Sequence, residues 1–127
     1  MVTIQFCTEG TMRDLFLQCA GLVAIAVALI HGILGETRVF ARATIEPPRL
    51  RNLIRVCWQI GTVGWICGGV LLIVAPSIES VPARHWIVIT MSAMYGFGMF
   101  GNAWIFRGQH FGWIALCAVI VMAIVGY

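Results

Sequence analysis

The chain has no lysine and only five acidic residues among 127. Charged residues make up 10% of it, against roughly a quarter in an ordinary soluble domain. The net charge of +3 therefore comes from arginine alone and reads first as a topology signal, not as a nucleic-acid surface. Catalytic signatures are missing as well. No serine, histidine and acid combination can be assembled on spacing, and no acid falls inside an apolar run. The glycines stand at helix-packing intervals, not in a phosphate-binding loop. Nucleophilic and general acid–base catalysis thus have no support, and an enzyme is the less favoured reading. A disulfide framework is excluded too: Cys19, Cys57, Cys67 and Cys117 lie within apolar runs and read as small packing residues, with Cys7 alone outside them. The first fourteen residues lack a basic n-region and a small-residue cleavage pattern, so no cleaved signal peptide is expected.

What is abundant is apolar sequence, 61% of the chain. Four runs stand out, at about 15–34, 56–75, 86–106 and 111–127, each near the roughly 17–25 residues that span a bilayer. The expected fold is all-α, a single membrane domain over 1–127 built as a four-transmembrane-helix bundle. Arg38, Arg42, Arg49, Arg51 and Arg55 follow the first run and Arg107 follows the third, whereas the other side holds only Arg13 and Arg84. That bias puts the first and third linkers in the cytoplasm and both termini on the non-cytoplasmic side. The expected location is a bacterial cytoplasmic (inner) membrane, crossed several times.

Local signals refine this picture. Thr11 and Asp14 fit a capping box ahead of helix one. Gly21, Ala24, Ala28 and Gly35 make one face of small residues, with His31 set into it and pointing into the bundle. The linker Gly35 to Leu50 is expected to lie partly along the headgroups, and Pro47-Pro48 to start helix two. Helix two carries a polar stripe (Asn52, Arg55, Gln59, Thr62) roughly opposite a groove of small residues (Cys57, Gly61, Gly64, Gly68), which suggests a central position among partners. The stripe ends at Thr62, so no continuous conduit is expected. Pro82 should keep Ser77 to Arg84 from being helical throughout. Gly61, Gly64, Gly68, Gly96, Gly98 and Gly101 are the helix-packing candidates.

On a common depth scale, His31, Glu36, Arg55, Gln59, Asn102 and His110 converge on the inner leaflet. Buried ionisable and amide groups are costly unless paired, so such a cluster is a candidate site. In a structural reading, Arg55 pairs with Glu36, and His31 bonds Gln59 or Asn102. In a ligand or metal reading, His31, His110 and Glu36 supply the donors. Axial haem ligation would need two histidines facing each other at one depth. A lipid headgroup, a quinone or a partner subunit are further candidates for the same cluster, and the residues name no cofactor.

His31-Gly-Ile-Leu-Gly-Glu36, the arginine-bearing linker and Arg55-Val-Cys-Trp58-Gln59 resemble a pattern in small uncharacterised bacterial four-helix inner-membrane proteins. There, a histidine on helix one precedes Leu-Gly-Glu, and helix two opens with an arginine and Trp-His. The resemblance implies four helices and no known activity. Gln59 stands where the pattern has its second histidine, which weighs against a metal role. The first functional expectation is an accessory or structural subunit of a larger membrane complex, such as a respiratory or photosynthetic assembly, with lipids and other transmembrane subunits as partners and no nucleic acid. The alternative is a small ligand-binding or metal-binding membrane protein, or an enzyme, using the cluster around His31. A homo-oligomeric channel or transporter comes third.

Overall fold

The computed structural model describes residues 2–127, with side chains from Gly10 onward. Cys7 and its reactivity lie outside the described side chains. Among the described residues the chain is all-helical: α1 (Val2–Leu34), α2 (Pro48–Val74), α3 (Val81–Ile105) and α4 (Gly112–Val125). The helices run alternately up and down, as neighbouring pairs show. Gly32 of α1 faces Thr62 of α2, Gly68 of α2 faces Tyr95 of α3, and Gly112 of α4 faces Asn102 of α3.

Two continuous helical stretches, Gly10–Phe40 and Pro48–Ser77, are long and apolar enough to cross a membrane. The other two fall short for different reasons. Helix α4 has 14 residues, about 21 Å at 1.5 Å per residue. Helix α3 has 25, but its glycines, Ser92, Tyr95 and Asn102 dilute the apolar content.

Several boundaries differ from expectation, each for a local reason. No cap forms at Thr11, because α1 runs on unbroken from Val2. At its other end α1 passes into a wider π-helical turn, Gly35–Phe40, so half of the expected surface linker is helical. Phe40 is buried there, and its carbonyl accepts a hydrogen bond from Arg51. Pro48 opens α2, where its missing N–H is not needed. The same reasoning moves the start of α3 forward. Ser80 caps it by accepting from the Ala83 N–H, and Pro82 sits in the first turn, where a proline fits, instead of breaking the helix.

Helix α1, not α2, holds the middle of the bundle. It packs along both α2 and α4, while the α2–α3 contact is the narrowest of the four neighbouring pairs. Its buried face is made of Leu17, Ala20, Gly21, Ala24, Ala28, Gly32 and Gly35, and its Leu22, Leu29, Ile30 and Ile33 point outward. Backbones touch where Gly21 meets Gly69: a Cβ on Gly69 would lie 2.7 Å from the Gly21 carbonyl oxygen. At the far end Gly126 lies against the backbone of Arg13 and Leu17, closing α4 onto α1.

The packing candidates divide. Gly68 sits under Met91, Met94 and Tyr95, and Gly98 under the Trp65 indole, so both admit a neighbour that a side chain would block. Gly96 makes only an ordinary contact with Ile120. Among the described residues, Gly61, Gly64 and Gly101 have nothing within 4 Å of where a Cβ would stand, so there they meet no other helix. The expected groove on α2 is therefore not a continuous intrachain interface. The sequence spacing placed these glycines on one side of the helix without fixing which side the neighbours occupy.

Candidate functional site

The six polar residues expected to converge do come to one end of the bundle, but as two groups. The indole of Trp58 stands between them. Trp58 fits because Gly35 lacks a side chain at the place its ring occupies. Its Nε1–H donates to the main-chain oxygen of His31 at 3.2 Å, and Phe40 closes edge-on against it at 5.8 Å.

On the outer side lies an ionic group. Glu36 accepts from Arg55 Nε at 3.0 Å and from Gln59 Nε2 at 2.7 Å, and its second oxygen lies 2.6 Å from an Arg55 guanidinium nitrogen. This two-point arginine–carboxylate fit fixes geometry as well as charge. With Asn52 it lines an open groove on the surface of α2. Arg55 thus pairs with Glu36 as the structural reading has it, but Gln59 is spent on Glu36 and does not reach His31. Thr62 turns inward, bonding the Trp58 carbonyl and touching Gly32.

On the inner side of Trp58 is a half-open cavity of about 280 Å³. All four helices contribute to it: His31 and Val27 from α1, Trp58 and Trp65 from α2, Asn102 from α3, and Gly112 and Leu116 from α4. Arg38, from the π-helical turn, also lines it. The His31 imidazole lies flat on the Trp58 indole, with centroids 4.2 Å apart and planes 4° from parallel, and meets Trp65 at 4.8 Å. Trp65 is itself held, since the buried Tyr95 hydroxyl donates to its carbonyl at 2.8 Å. Among the described residues, neither ring nitrogen of His31 has a hydrogen-bond partner.

His110 reaches the same cavity through a tight turn. Helix α3 ends with the Gly108 N–H on the Ala103 carbonyl and the Arg107 N–H on the Trp104 carbonyl, with Arg107 and Gly108 both left-handed. This pairing of a helix end is the Schellman arrangement. It swings the chain back so that His110 lies between Phe106 and Phe111, at 5.0 and 4.8 Å. His110 Nδ1 accepts from the Gly112 N–H at 3.1 Å, which leaves the proton of a neutral imidazole on Nε2. Asn102 donates one amide hydrogen to the Gly98 carbonyl at 2.9 Å. A Cβ on Gly112 would lie 2.8 Å from His110 Nδ1 and 3.3 Å from Asn102 Oδ1, so a side chain there would displace both.

The ligand set of His31, His110 and Glu36 is not assembled: Glu36 is on the other side of Trp58. No cluster of three or more histidine, cysteine, aspartate or glutamate side chains suited to a metal occurs among the described residues. Sequence reasoning placed His31, Asn102 and His110 at one level but missed Trp58 and Trp65 as walls. Their helical spacing with Thr62 puts both on one face of α2, but only the structure shows that this face meets Gly35, Gly32 and Gly98. No protein-family model matches the chain, and neither a curated protein nor a solved structure is detectably similar to it.

Proposed function

We propose that this chain is an integral membrane protein that binds a small, flat, largely apolar ligand in the cavity beside His31. The membrane part rests on the way apolar bulk is distributed. The core of α1 is alanine and glycine, while Phe97 and Trp104 stand 85% and 86% exposed. In water such a surface would be an aggregation hazard, and against lipid it is ordinary. The arginine bias then puts the turns after α1 and α3 in the cytoplasm of a bacterial cell and both termini outside.

The ligand reading is carried by one observation: an imidazole whose two nitrogens have no partner among the described residues, stacked on the Trp58 indole and tilted against Trp65 in a half-open cavity. Aromatic walls with a few placed polar groups are the usual build of a small-molecule site. The test is native mass spectrometry of the full chain extracted from its own membrane in mild detergent. One small organic mass retained per chain, and lost in His31→Ala, is the expected result. A bare chain in every detergent would overturn the reading.

A second reading, an accessory subunit of a larger membrane complex, is favoured by the open glycine faces. Gly61 and Gly64 on α2 and Gly101 on α3 leave room for a foreign helix to approach closely. Co-migration with a large assembly at fixed stoichiometry in the same spectra would support it.

A further inference from the structure

We infer that the cavity between His31 and His110 receives the head ring of a membrane quinone. The inference rests on the ligand-binding reading above and specifies its chemistry.

Shape comes first. The rings of Trp58, Trp65, Phe106 and Phe111 line the cavity, with His31 stacked on Trp58 and His110 between the two phenylalanines, and an aromatic lining of this kind suits a planar ring. At about 280 Å³ it lies just under the roughly 300–1,000 Å³ of sites that enclose drug-sized molecules. One or two fused six-membered rings fit, and a tetrapyrrole does not.

Polarity narrows the class. No carboxylate lines the cavity, so an amine or a metal cation has no counter-charge there. Arg38, itself exposed, is the one formal cation in the lining. Besides Arg38 the cavity offers uncharged polar groups, the two imidazoles and Asn102. Among the described residues the N–H of a neutral His31 has no acceptor, and the Nε2–H of His110 is left over once Nδ1 is occupied by Gly112. A quinone ring suits the two donors: it is uncharged and flat, with two carbonyl acceptors.

Access agrees with this. Ile30, Val39, Phe106 and Phe111 line the cavity and are also exposed on the apolar outer surface. An alkyl tail bound to the ring can leave by that route into lipid, so only the head needs enclosure.

The experiment uses the full chain in detergent, titrated with a 2,3-dialkyl-1,4-naphthoquinone, which has no free ring position for a cysteine to attack. The comparison ligand is the same dialkylated naphthalene without carbonyls. Binding is read by native mass spectrometry. The quinone is expected to bind one per chain and about ten-fold tighter than the naphthalene, the worth of roughly one hydrogen bond. That preference should vanish when His31→Phe and His110→Phe are combined, while both rings still bind. Equal affinity for the two ligands would overturn the quinone assignment and leave the cavity reading standing. No one-to-one binding of either would overturn both. A preference that survives the double substitution would overturn the role given to the imidazoles.

Discussion

The imidazole of His31 and the indole of Trp58 lie parallel 4.2 Å apart, and the same indole donates its N–H to the main-chain oxygen of His31. One side chain of α2 thus fixes both the ring and the backbone of one residue of α1. Trp58→Phe keeps a ring and loses the N–H, and should cost about 1 kcal/mol. Trp58→Ala also empties the wall between the two polar groups. Because the indole is only half-buried, the cost should fall below the usual range for a buried tryptophan, at about 2–3 kcal/mol. Unfolding by a denaturing detergent, followed by helical circular dichroism, measures both.

The crossing of α1 and α2 is set by glycine meeting glycine. Gly21→Val and Gly69→Val each place a side chain against opposing backbone, which cannot rotate away, and should cost about 3 kcal/mol or more. Gly61→Ala and Gly64→Ala point into open space and should stay within about 0.5 kcal/mol of the parent in the isolated chain. The same denaturation assay separates the two pairs. If only Gly64→Leu disrupts a co-purifying assembly, the accessory-subunit reading gains its interface.

Glu36, Arg55 and Gln59 hold the start of α2 to the π-helical turn, outside the cavity. Glu36→Gln should lower the yield of folded, extractable protein, and a charge exchange, Glu36→Arg with Arg55→Glu, should restore much of it. Neither change should alter the mass retained in the cavity, because Trp58 stands between. Ligand loss in Glu36→Gln at full folded yield would place the ionic group inside the site after all. Folded yield and native mass spectra, taken on the same preparations, provide the comparison.

Orientation is checked independently. A reporter fused after Tyr127 should be active only if it works outside the cytoplasm, given arginines at the turns after α1 and α3. Activity of a strictly cytoplasmic reporter at that position would invert the proposed topology.

Much of this architecture was legible in the sequence because it depends on local chemistry. Apolar runs, Pro47-Pro48 and the small-residue face of α1 identify helices and one buried side by spacing alone. Antiparallel connection then brings His31, Asn102 and His110 to one level without knowledge of packing. What was not legible depends on rotation of one helix against another. Spacing could not tell that Trp58 and Trp65 face inward while Gly61 and Gly64 face out. Nor could it show that Trp58 splits the polar cluster in two. The π-helical turn at Gly35–Phe40 was hidden too, since glycine followed by charged residues reads as a loop until the buried Phe40 anchors it.

The most direct test of the ligand cavity is to fill it. Val27 lines the space on α1, so Val27→Phe should occupy it with a ring of the protein's own. Native mass spectrometry of this variant beside the parent is expected to show a folded chain that has lost its retained molecule. The same molecule, retained at parental stoichiometry in a folded Val27→Phe chain, would contradict the account.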